Sequence, residues 1–123
     1  MTARPEARAW LATRGLHVGD LRVSKYYVAE ESFWHVPGWW FEIPTMAVVK
    51  LETHFDLLGR NPTGDPEFIH FRVPPEFLVA NKAGLGFREQ EDKFSLFISA
   101  EQKDLWREVR GPGGVDFGRF RVD

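Results

Sequence analysis

Apolar and polar positions change period several times along the chain, and each change predicts an element. Ala7, Trp10 and Leu11 recur at helical spacing between Pro5, suited to a first helical turn, and Gly15, suited to a terminus. They predict a short helix over about residues 5–14. LRVSKYYVAE (Leu21–Glu30) has the β-branched and aromatic content of a strand. Its alternation slips at Ser24–Lys25, with Leu21 and Val23 on one face and Tyr26 and Val28 on the other, which predicts a bulge. GWWFEIP reads as a second strand ended by Pro44. Trp39, Phe41 and Ile43 share its core face, and Trp40 and Glu42 the opposite one.

TMAVVKLETHFDLLG fits two periods. Val48, Leu51, Phe55 and Leu58 recur at helical spacing, whereas Ala47, Val49, Leu51, Thr53, Phe55 and Leu57 alternate. The β-branched Val48, Val49 and Thr53 favour a strand, and EFIHFRV (Glu67–Val73), reached through the turn-rich GRNPTGDP, supplies a partner. The hairpin predicted from this pattern sets Leu51 against Val73, Thr53 against Phe71 and Phe55 against Ile69 on an apolar face. On the other face Glu52 meets Arg72, His54 meets His70 and Asp56 meets Phe68.

PPEFLVANKAG predicts a short helix, with Pro75 near its start and Gly84 at its end. KFSLFIS (Lys93–Ser99) alternates as a strand, with Phe94, Leu96 and Ile98 on one face. SAEQKDLWREVRG then reads as a helix with Ser99 as its cap, strand being the alternative for its last half. VDFGRFRV closes the chain as a strand with a possible bulge at Gly118. About six strands and two or three short helices, not strictly alternating, predict one α+β domain over residues 1–123. Its sheet is expected to be curved and mostly antiparallel.

Composition narrows the chemistry. The 123 residues contain no cysteine, which excludes a disulfide framework, thiol catalysis and cysteine-ligated metal. A hydrophobic share of 43% with 28% charged residues is that of a globular chain able to bury a core. The N-terminal stretch lacks the apolar run of a signal peptide and no segment reaches membrane-span length, so a cytoplasmic location is expected. Charge is uneven: residues 1–25 hold five basic and two acidic side chains, residues 26–59 one basic and five acidic. Nucleic acid is therefore disfavoured as a partner, because the aromatic segment lies in the acidic third.

Two constellations stand out. FWHVPGWWFEIP (Phe33–Pro44) packs three tryptophans, two phenylalanines and a histidine into twelve residues. Trp39 belongs to the expected core. Trp34 and Trp40, with Glu42 beside Trp40, are the candidates for a ligand platform or a subunit interface, against the alternative that all three indoles are buried together. The second constellation is LETHFD: Glu52, His54 and Asp56 share one strand face, with His70 on the neighbouring strand. Two histidines and a carboxylate can hold a divalent metal or act in acid–base catalysis. The same residues also suit a solvent-facing sheet surface, and a layer covering that face would bury them.

No cofactor is predicted. GLGF lacks the third glycine and preceding strand of a dinucleotide fingerprint, and GPGG lacks the lysine of a phosphate loop; both read as turns. The function expected from these patterns is a binding or interaction module without intrinsic catalysis, self-associating as a dimer through aromatic surface or taking a protein or small-molecule partner. The alternatives are a small metal-assisted or acid–base enzyme using His54 and His70 with Glu52 or Asp56, and a nucleic-acid-associated regulator using the basic N-terminal arm.

Overall fold

The computed structural model describes residues 4–50 and 53–122. Within them lie the helices α1 (Arg4–Thr13), α2 (Thr45–Lys50) and α3 (Pro75–Ala80). The strands are β1 (Asp20–Ser24), β2 (Gly38–Pro44), β3 (Phe55–Arg60), β4 (Phe68–Val73), β5 (Phe87–Arg88), β6 (Lys93–Ser99) and β7 (Arg121–Val122). They form a four-stranded sheet in the order β1-β3-β4-β7 and a three-stranded sheet in the order β2-β6-β5. All strand pairs are antiparallel except β1 with β3. The molecule is thus the expected mostly antiparallel α+β domain, with its strands divided between two sheets.

The division follows from where apolar side chains collect. Trp39, Phe41 and Ile43 of β2 and Phe94, Leu96 and Ile98 of β6 share one core with Phe55 and Leu57 of β3. Phe71 and Val73 of β4 complete that layer, and Val48 of α2 and Leu78 of α3 join it. The other face of the four-stranded sheet is also covered. Ala7 and Leu11 of α1 pack on Leu21, Leu58 and Phe68 in a second, smaller core. Burying Leu11 completely contributes roughly 2 kcal/mol to holding α1 in place.

Residues 45–60 correct the predicted long strand. Residues 45–50 are helix α2, which buries Val48 in the main core and leaves Met46 and Val49 exposed, so tertiary packing outweighs the β-branched content. Strand β3 begins only at Phe55 and runs through Gly59 to Arg60. It lies between β1 and β4 with both faces covered, and this placement puts Phe55 opposite Val73, four residues from the expected partner. An even shift keeps every side chain on its predicted face while changing its neighbour. Asp56 therefore faces Arg72, Leu58 faces His70, and His54 lies ahead of the strand, so the predicted His54–His70 and Asp56–Phe68 pairs do not form.

Three smaller corrections concern segments in which 3-10 turns replace part of the expected strand or helix. The expected strand at Leu21–Glu30 ends at Ser24; Tyr27 makes an isolated bridge to Gly38, and residues 29–31 turn as a 3-10 helix. Ser99 does accept the backbone N–H of Glu101, yet only Gln102–Asp104 are helical, of the 3-10 kind, before the chain turns back to pair Glu108 with Ile98. At the end, residues 118–120 form another 3-10 turn and only Arg121–Val122 are strand.

Gly59 shows how tightly the sheets meet. A Cβ built there would lie 2.4 Å from Cδ1 of Trp39, whose Nε1–H donates to the Arg60 carbonyl at 2.9 Å. Gly59→Ala is therefore expected to destabilise the protein by about 1–3 kcal/mol through displacement of the indole. Urea denaturation with an unchanged m-value is the check; a variant as stable as the parent would contradict this packing.

Candidate functional site

The outer face of the three-stranded sheet is lined by a loop that contains a 3-10 turn at residues 29–31. Trp40 of β2 and Phe97 of β6 sit there opposite one another. The chain between β1 and β2 folds back over them. Tyr27 is fixed by a reciprocal pair of backbone hydrogen bonds with Gly38, at 2.9 and 3.0 Å. Trp34 is held by the buried Ser32, whose Oγ accepts the Trp34 N–H at 3.1 Å. His35 then reverses the chain at φ 57°, a region in which histidine is enriched. The rings meet at angles: Trp34 lies 5.0 Å from Phe97 and Tyr27 6.1 Å from Trp40, centroid to centroid.

Between these rings is a cleft of about 560 Å³, walled by Tyr27, Trp34, Trp40 and Phe97, with Phe33 and Arg110 at its margins. Phe33 is 83% exposed. Trp34 and Trp40 are both half-buried, and Trp40 donates its Nε1–H to Ser95 Oγ at 2.8 Å. The structure thus brings the predicted Trp34 and Trp40 into one site and leaves Trp39 in the core, stacked on Trp106 at 5.9 Å. Glu42 goes elsewhere: it binds Lys93 Nζ at 3.0 Å and lines a neighbouring polar hollow of about 370 Å³ with Arg4 and Arg22.

Sequence reasoning missed Tyr27, Phe97 and Arg110. Arg110 is delivered by a buried carboxylate. Glu108 is fully buried, and its two oxygens accept four backbone N–H groups, from Gly86, Phe97, Arg110 and Gly111, each at 2.9 Å. Buried charge is tolerated where every lone pair finds a donor. Here the donors come from three separate segments, so Glu108 clamps the turn carrying Arg110 onto the edge of β6. An isolated glutamate between Arg107 and Val109 carries no sequence signal of this role.

The histidine cluster lies on the opposite side of the molecule, beneath α1. Asp56 is 1% exposed and His70 0%. His70 Nε2 donates to Asp56 Oδ1 at 2.6 Å, and the Gly19 N–H donates to Oδ2 at 2.7 Å. His54 Nε2 stands 3.2 Å from Oδ2, and Arg72 Nε 3.3 Å from Oδ1. Arg72 also donates to His54 Nε2, through Nε at 2.9 Å and through its second amino group. In that state His54 carries its proton on Nδ1, which faces Thr53 Oγ1 at 2.8 Å. Glu52, the fourth residue of the predicted constellation, lies outside the described residues.

This geometry is poor for a metal. Both imidazoles aim Nε2 at the same carboxylate, and a guanidinium fills the space among them. Among the described residues no group of three or more His, Cys, Asp or Glu side chains is placed to hold a metal ion. The cluster reads instead as a buried tie among the start of β1, β3 and β4. Within this cluster His70 Nδ1 is buried with no hydrogen-bond partner among the described residues, and the Trp10 ring packs edge-on 6.2 Å from the imidazole.

No protein-family model, curated protein or solved structure matches the chain. Any functional reading therefore rests on the cleft and its chemistry.

Burial pushes the Asp56 carboxyl up, but the hydrogen bonds it accepts from His70 and Gly19 lead the effects that outweigh burial, leaving the group below its ordinary value of 3.8. A depressed folded-state value adds stability above the ordinary carboxylate range, and that stability is lost as pH falls through the lower folded value. Asp56→Asn is accordingly expected to cost about 3 kcal/mol near neutral pH. The gap from the parent should narrow in strongly acidic solution; equal denaturation midpoints at neutral pH would rule out the tie.

Proposed function

We propose that the protein is a binding module without intrinsic catalysis, and that its ligand is a small planar molecule held in the aromatic cleft. The observation that carries this reading is the cleft itself. Its volume falls within the range of small-molecule sites, its walls are mostly aromatic, and few polar groups reach it. Tyrosine and tryptophan offer large flat area at little conformational cost, and each ring–ring contact adds roughly 0.5–1.5 kcal/mol beyond area burial. The histidines, which an acid–base enzyme would need, are engaged with Asp56, Arg72 and Thr53 and do not line the cleft. A cytoplasmic setting suits a chain without cysteine.

Isothermal titration calorimetry with naphthamide, a neutral planar probe, tests this. The parent is expected to bind it, and Trp34→Ala to bind at least about tenfold more weakly with an unchanged melting temperature. Equal affinity in parent and variant would place the probe outside the cleft and reject the reading.

A second reading, self-association, is favoured by one specific feature. Phe33 projects beside the cleft, so one patch carries both a knob and a hole, the condition for a two-fold contact between copies. On that reading sedimentation gives a dimer mass for the parent and a monomer for Phe33→Ala. A monomeric parent at high micromolar concentration would remove it.

A further inference from the structure

We propose that the cleft selects an aromatic anion, a flat ring system bearing a carboxylate or comparable acid, with Arg110 as its charge partner; this rests on reading the cleft as a ligand site. Arg22, Arg60, Arg72 and Arg88 each face a carboxylate, of Asp20, Glu6, Asp56 and Glu91. Arg110 has no ion pair among the described residues. Its guanidinium stands 5.6 Å from the centroid of the Trp34 ring, at the margin of the cleft. A planar fork of donors beside an aromatic wall matches a flat acid twice, by stacking on the ring and by paired hydrogen bonds to the carboxylate.

The one carboxylate lining the cleft does not cancel this charge. Glu31 Oε1 accepts the Val28 N–H at 3.2 Å, and Oε2 faces Lys25 Nζ at 3.5 Å. Lys25 itself lies 4.6 Å over the Tyr27 ring, so Glu31 has its own cation and Arg110 is the cation that lines the cleft. Glu108 stands behind Arg110 with both oxygens filled by backbone donors. The arginine is also held in place. Its N–H is bound by Glu108, and its stem crosses Gly86, where a Cβ would fall 2.6 Å from Arg110 Cδ. A guanidinium positioned in advance loses less freedom when it meets its ligand.

The test compares three probes of one shape, naphthoate, naphthamide and naphthylmethylammonium, by calorimetry against the parent, Arg110→Gln and Arg110→Lys. In the parent, naphthoate is expected to bind at least about tenfold more tightly than naphthamide, and the ammonium most weakly. High salt should weaken naphthoate and leave naphthamide unchanged. In Arg110→Gln the preference should vanish while naphthamide affinity is kept, and Arg110→Lys should retain only part of it. Naphthoate binding no better than naphthamide in the parent, or a preference that survives Arg110→Gln, would overturn the anion inference and leave the cleft reading standing. If none of the three binds the parent at millimolar concentration, the cleft reading falls with it.

Discussion

Strand β3 is paired on both edges and covered on both faces, by the main core on one side and α1 on the other. Every position in it is therefore answerable to a neighbour. Phe55 and Leu57 must be apolar, Gly59 must lack a side chain where Trp39 crosses, and Asp56 must find hydrogen-bond partners where water does not reach. The three-stranded sheet is covered differently. Its inner face completes the main core, and the chain between β1 and β2 lies over Trp40 and Phe97 on its outer face. A loop laid over Trp40 and Phe97 cannot close as a helix would, and the space it leaves is the cleft.

Two buried carboxylates organise the two sides of the molecule by different means. Asp56 is met by one peptide N–H and by the side chains of His70, His54 and Arg72, which are ionisable or charged. Its contribution consequently depends on pH. Glu108 is met by four peptide N–H groups, which do not titrate. It fixes the turn at Arg110 and Gly111, and so determines where Arg110 stands. The Asp56 cluster thus joins β3 and β4 to the residue that precedes β1, while an isolated glutamate holds the turn that carries Arg110.

The local patterns read true where one face alone decided an element. KFSLFIS is a strand over Lys93–Ser99 as its alternation predicts, and Trp39, Phe41 and Ile43 face the core as their spacing requires. The side of the sheet taken by Asp56, His70 and Arg72 was legible too, because an even change of register leaves faces intact. Trp40 was identified as a candidate from the alternation of its strand, and Trp34 from the aromatic density of the same segment. Tyr27 and Arg110 were not, since Tyr27 is placed by an isolated bridge to Gly38 and Arg110 by a buried carboxylate that binds its backbone, and neither contact follows a period.

By itself, then, the sequence determined the fold class, the helix at the N-terminus, the core faces of β2 and β6 and the aromatic character of the segment around Trp40. These depend on periodicity, which is a local property. Only the tertiary structure decided that residues 45–50 are helix, that β3 pairs with Val73 at Phe55, that the histidines converge on Asp56 beneath α1, and that Arg110 meets Trp34. Each of these is settled by burial on a second face or by a hydrogen bond between distant segments, and neither leaves a period in the chain.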